Sequence, residues 1–200
     1  RFEYAGAPGA LTGFLGESPV MRSGSELVIA GEPEASAVWF PANDHPSDAA
    51  TFDLSVRVPL GREVISTGRL LSRDTDADPA TATWHWRTSE PAATYLTFLA
   101  IGEFTLEESV VDGRPVVLAV SDLVSGPVRT RAWTQLRRTP EVVRGLEQRY
   151  GPYPFSDLGG VVVGVRTWWA GLECQTRPIY DTSLGDDGDW PAELLDHELA

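Results

Sequence analysis

Thr51-Phe52-Asp53-Leu54-Ser55-Val56-Arg57-Val58 decides how this chain begins to fold. Phe52, Leu54, Val56 and Val58 alternate with Thr51, Asp53, Ser55 and Arg57, a period of two that lays one face of a strand on a core and the other in water. Thr81–Arg87 repeats the pattern, with Ala82, Trp84 and Trp86 on one side and Thr83, His85 and Arg87 on the other. Residues 94–99 are more continuously apolar and predict an inner strand. Turn signals separate these runs at Pro59-Leu60-Gly61, at Thr67-Gly68 and over residues 74–79. Short strands at this spacing predict a mainly β amino-terminal domain, a sandwich or saddle, over residues 1–106.

Residues 107–200 change character. Asp112-Gly113 is a hairpin turn flanked by residues 103–111 and 115–120. From 128 to 150 the apolar residues fall at helical spacing, with Trp133 and Leu136, then Val143, Leu146 and Tyr150. Thr139-Pro140-Glu141 predicts a fresh helix start with Thr139 as its cap, and Gly151 closes that helix. The rigid connector Pro152-Tyr153-Pro154-Phe155 leads into a buried strand over 158–165. Residues 190–200 predict a last helix, capped by Asp189 with Pro191 in its first turn. Strands first and mixed α and β afterwards predict a second, α/β (α+β) domain over 107–200.

Composition narrows the function. The chain has 42% hydrophobic residues, ample for a core, and a net charge of −13. All 16 basic residues are Arg. That balance disfavours a phosphate backbone as partner and favours cationic ligands such as peptide amino termini. The single cysteine, Cys174, excludes an internal disulfide framework and a cysteine-rich zinc cage. It reads as a small packing residue. No apolar run approaches the length of a membrane span. Composition leaves the compartment open, with an extracellular one preferred over the cytoplasm.

The last four residues, His197-Glu198-Leu199-Ala200, are the first four of a His-Glu-x-x-His pattern. On a helix, two histidines four apart share one face and can bind one zinc ion, and the Glu beside the first is placed to work on a metal-bound water. The second His would follow Ala200. We therefore expect the chain to stop inside a zinc-binding helix, and to be inert as it stands because one His does not hold a catalytic zinc.

Five segments in order resemble the aminopeptidase N-like zinc metallopeptidases. Phe40-Pro41-Ala42-Asn43-Asp44-His45-Pro46, followed by Ala50-Thr51-Phe52, is similar to that family's Phe-Pro-Cys-x-Asp-x-Pro segment. Thr94-Tyr95-Leu96 and Ile101-Gly102-Glu103-Phe104 are similar to the strand that closes its β domain. Tyr150-Gly151-Pro152-Tyr153-Pro154-Phe155 resembles its helix-to-strand connector. Ala170-Gly171-Leu172-Glu173-Cys174 sits where the family carries Gly-Ala-Met-Glu-Asn, and His197-Glu198 follows. The resemblance implies a β domain followed by the start of a thermolysin-like catalytic domain, and a zinc-dependent aminopeptidase acting on peptides with a free amino terminus.

By that resemblance His197 is a zinc ligand and Glu198 the general base. Glu173 holds the substrate's α-ammonium group, and its Leu172 and Cys174 neighbours depart from the family's Met and Asn. Glu32, nine residues before Pro41, is a second amine contact or else a solvated turn residue. Ala170 and Gly171 give the backbone close approach to substrate. Trp168 and Trp169 would wall the cleft, whereas His45 and His85 are structural. Other readings stay open: a non-catalytic scaffold of the same fold, a branch that hydrolyses an epoxide, or a β-sandwich adhesion module with an unrelated helical tail.

Overall fold

The computed structural model describes residues 2–6, 16, 18–33, 36–77, 80–182 and 192–200. Strands β1 (Val20–Ser23), β2 (Glu26–Ile29), β4 (Glu63–Ser66) and β7 (Leu99–Gly102) form an antiparallel sheet in the order β1-β2-β7-β4. Strands β3 (Asp53–Pro59), β5 (Arg69–Thr75) and β6 (Thr81–Arg87) form a second, in the order β3-β6-β5. A third sheet, of mixed direction, runs β11-β12-β10-β9-β8. Its strands are β8 (Phe104–Val111), β9 (Arg114–Ser121), β10 (Leu158–Val162), β11 (Gly171–Leu172) and β12 (Ile179–Tyr180). Helices α1 (Gly126–Leu136) and α2 (Thr139–Tyr150) cross from β9 to its parallel neighbour β10, and α3 (Ala192–Leu199) follows β12. The chain is thus mainly β at first and α/β afterwards, as its patterning predicts.

Alternation along single strands explains how the layers stack. In the four-stranded sheet Ile29, Val64 and Leu99 face Trp84 and Trp86 of the three-stranded sheet. Their neighbours Val28, Ile65 and Ala100 face the five-stranded sheet, against Ala119, Val161 and Ile179. A sheet buried on both faces reads as a continuous apolar run, which is why β7 gives no alternating signal. In β9, Val116, Leu118 and Val120 point instead to the helices, where they meet Leu136, Val143, Leu195 and Leu199.

Two buried charged residues join the layers. Glu26 is 2% exposed and accepts hydrogen bonds from the Ser121 hydroxyl and, at 2.7 Å, from the Gly164 N–H. Burial pushes its carboxyl above the usual range. Arg177 is 1% exposed, with its guanidinium 4.7 Å from the Trp86 ring centre. It donates to the carbonyls of Val117 at 3.2 Å, Gly68 at 3.0 Å and Ser66. Gly159 makes room for it: a Cβ there would lie 2.7 Å from Arg177 Nε.

Local expectations fare unevenly. Asp112 and Gly113 both take positive φ, 52° and 78°, as the hairpin demands. Residues 94–99 are not an inner strand. Thr94–Leu96 is a 3-10 turn closed by Leu96 N–H to Ala93 O (3.0 Å) and Thr97 N–H to Thr94 O (3.1 Å), and the strand begins at Leu99. Thr139 does not cap α2: Arg138 holds that position, and the buried Thr139 hydroxyl has no hydrogen-bond partner. Gly151 does close α2, at φ 96°. The expected division near residue 106 falls inside β8, and sheet membership changes between Gly102 and Phe104. The capping expected of Asp189 and Pro191 lies outside the described residues. Among the described residues no helix is long and apolar enough to cross a membrane.

Candidate active site

The functional candidates converge on the edge of the five-stranded sheet nearest α3. The chain reaches this edge from β10 through a turn fastened by Asp181, whose carboxylate accepts from Thr167 N–H (2.6 Å) and Oγ1 (3.0 Å). Thr167 Oγ1 in turn accepts the Ala170 N–H at 3.2 Å, and Ala170 O accepts the Asp181 N–H at 2.9 Å. These bonds hold Ala170 at φ 60°, a left-handed conformation uncommon for a residue with a side chain. Leu172 and Cys174 are buried on either side of Glu173, so Glu173 faces out of the core.

Helix α3 brings the second half of the site. Leu195 and Leu199 anchor it in the helical core, and Glu198, 9% exposed, lies against β11. The contact is close: a Cβ at Gly171 would meet Glu198 Oε1 at 2.4 Å and Cδ at 2.9 Å, so any side chain there would displace the Glu198 carboxylate. His197, one residue earlier, is exposed.

Glu32, Gly171, Glu173, His197 and Glu198 line one cleft of about 620 Å³, walled by Trp168 and Trp169. Glu173 and Glu198 also border a more apolar cavity of about 470 Å³, formed with Tyr150, Tyr153 and Phe155 of the connector. Ala170 does not line the cleft, and both its backbone groups are used internally. The space beside Gly171 is taken by Glu198.

The cleft is acidic and its carboxylates feel one another. Burial, chiefly, pushes Glu198 up to about 7; the adjacent His197 opposes that, and Glu173 and Glu32 add to it. Burial and then Glu173 raise Glu32. Cys174 is a buried thiol raised well above its ordinary value by the loss of solvent, so it is a packing group and not a nucleophile. His85 pairs with Asp53 at 2.5 Å and His45 lies 2.7 Å from the Ser47 hydroxyl, both outside the cleft.

An imidazole beside a carboxylate suits zinc, and His197 supplies one such donor in the cleft. Among the described residues no group of three or more His, Cys, Asp or Glu side chains is arranged to hold a metal ion. The described residues therefore supply one donor suited to zinc and no complete ligand set.

One cleft-side group escapes sequence reasoning. The Tyr95 hydroxyl donates to Glu173 Oε1 at 3.1 Å from the 3-10 turn. Read as a strand residue, Tyr95 carries no sign of that contact. Its place in a turn just before Leu99 is what aims it across.

Comparison with known proteins bears on the fold. The family model for the peptidase M1 N-terminal domain matches residues 4–96. Among curated proteins none matches the sequence. A solved M1 zinc metallopeptidase from Deinococcus radiodurans has a TM-score of 0.71 at 21% identity, covering 90% of this chain and 40% of its own. A Glu→Ala variant of a two-domain M1 zinc metallopeptidase, bound to L-arginine, has a TM-score of 0.70 at 20% identity, over 98% of this chain and 43% of the other. A Deinococcus radiodurans variant bound to a Tyr-Ser-Ala substrate has 0.68 at 22% identity, over 88% and 39%. Likeness at this identity establishes the fold, and the chain spans about two fifths of each of these structures.

Proposed function

We propose that this chain furnishes the amine-recognition side of a zinc-dependent aminopeptidase: residues 4–96 match the peptidase M1 N-terminal domain, and 90% of the chain shares the fold of a solved M1 zinc metallopeptidase. The observation that carries this reading is the meeting of Glu173, Glu32, His197 and Glu198, from both halves of the chain, in one acidic cleft. A carboxylate cluster with no Arg among the described residues lining it is suited to an ammonium group. Glu173 takes the substrate's α-ammonium and so fixes how far the scissile bond lies from the amino end. Glu32 adds negative potential. His197 would be one zinc ligand. When bound, zinc polarises the scissile carbonyl and acidifies a water. Glu198, held against Gly171, accepts the proton from the attacking water. Catalytic zinc takes three protein ligands, so activity needs donors beyond those that the described residues supply.

The test is hydrolysis of aminoacyl reporters by the full-length protein, with the amine free or acetylated, before and after chelation and zinc return. Cleavage confined to free amines and restored by zinc is the expected result. Chelator-resistant turnover, or equal turnover of acetylated substrate, would sink the proposal. Glu173→Ala should abolish the preference for the free amine while leaving zinc content unchanged.

Gly171→Ala gives a finer test. The nearest atoms to the new methyl group belong to the end of the Glu198 side chain, which can swing away at little cost to the fold. Displacing a proton acceptor by an ångström costs on the order of 100-fold in rate. We expect kcat to fall by about that factor with an unchanged unfolding midpoint. Unaltered kcat would show that the observed Glu198 position is not the working one.

A further inference from the structure

The amino-terminal domain reaches the amine site through more than Glu32. Tyr95 is half-buried, and its hydroxyl donates to Glu173 Oε1. The turn that carries it is fastened on both sides. Thr94 Oγ1 donates to Asp44 Oδ1 at 2.5 Å, and Asp44 Oδ2 accepts the N–H groups of Ser36 (3.1 Å) and Ala37 (3.2 Å), shortly after Glu32 in the chain. On the other side Leu96 O accepts the N–H of Gln175 at 3.2 Å and the Thr67 hydroxyl at 3.1 Å. Gln175 Nε2 lies 3.3 Å from the carbonyls of both Glu90 and Pro91. Main chain therefore joins main chain one residue past Tyr95 and two past Glu173, leaving the phenol little freedom to miss its partner.

We propose that Tyr95 is a positioning residue for the amine-binding carboxylate: by occupying Glu173 Oε1 it turns the other oxygen toward the substrate's ammonium group. This rests on the reading of Glu173 as the amine-binding group. A donor is what the arrangement calls for, since a carboxylate left to rotate spreads its charge over many orientations and gains less from any one of them. Burial, then Glu173 and Glu32, push the phenol up to about 12, so the hydroxyl keeps its proton throughout the physiological range. Amine recognition then depends jointly on the two halves of the chain.

The test compares wild type, Tyr95→Phe, Glu173→Gln and the double variant in the full-length protein. Zinc-loaded enzyme is assayed for kcat and KM with a free-amine reporter. Metal-free protein is titrated calorimetrically with leucinamide and with N-acetyl-leucinamide. Loss of one hydrogen bond to a charged group predicts about tenfold weaker leucinamide binding and about tenfold higher KM for Tyr95→Phe. The expected kcat stays within about twofold, a split that general loosening of the fold would not produce. In the double variant, affinity should match that of Glu173→Gln alone, because Tyr95 acts through Glu173. Wild-type leucinamide affinity in Tyr95→Phe, with Glu173→Gln impaired, overturns the role of Tyr95 and leaves the function standing. Losses that add in full would place the effect of Tyr95 elsewhere and likewise overturn it. A Glu173→Gln protein that keeps the wild-type preference for the free amine removes the aminopeptidase reading, and this role with it.

Discussion

Replacing Glu198 by Gln should lower kcat by about three orders of magnitude while the protein folds and binds amines as before. Proton acceptance by a positioned side chain contributes on the order of 10² to 10⁴ in rate, and Gln keeps the shape while losing the basic oxygen pair. The shape matters because Glu198 fills the space that Gly171 leaves open, so the isosteric amide disturbs β11 least. Leu195 and Leu199 hold α3 independently of the substitution. Single-turnover rates, zinc content and leucinamide affinity, measured together, separate loss of chemistry from loss of metal or substrate. A variant within tenfold of wild type in kcat would remove Glu198 from the catalytic step.

The largest effect on stability is expected from Arg177→Met. Three carbonyls, on Val117, Ser66 and Gly68, would lose their donor inside the protein, and Trp86 would lose the cation over its ring. Met fills much of the volume but satisfies none of these acceptors, and stranding buried polar groups costs about 3 kcal/mol or more in total. Burial pulls the guanidinium down to about 10, so it remains a cation at neutral pH, and Asp157 works in the opposite direction by favouring the charge. At this chain length about 3 kcal/mol corresponds to a fall in Tm of roughly 6–12 °C. Thermal or urea unfolding of the variant measures it. A shift under about 1 kcal/mol would mean that the contacts with Ser66 and Gly68 contribute little to joining the layers.

How much could be read in advance depended on how local the cause was. Thr81–Arg87 forms a strand over the residues that alternate, and Asp112-Gly113 turns where the dipeptide demands positive φ. Residues 94–99 misled because a run of apolar residues is compatible with a strand, whereas the turn over 94–96 is fixed by Asp44 and Gln175, far away in sequence. Thr139 misleads because a hydroxyl before Pro has the form of a cap, although α1 runs into α2 through Arg137 and Arg138 with almost no break. Arg and Glu are seldom fully buried, so only packing across sheets reveals that Arg177 and Glu26 are. Within the site, His197, Glu198 and Glu173 stood out by motif. Their shared cleft, the Gly171 contact and Tyr95 are products of tertiary structure and leave no periodic trace.

Asp44 carries a separate implication. Its hydrogen bonds go to Ser36, Ala37 and Thr94, none of which lines the cleft. Yet it couples the segment after Glu32 to the turn that presents Tyr95, so a change at this one carboxylate would be transmitted to the proposed amine site without touching substrate. If the proposed function holds, amine affinity depends on a residue that any map of ligand contacts would omit. Variation there would be visible first as weaker or tighter hold on the amine, at a turnover left nearly unchanged.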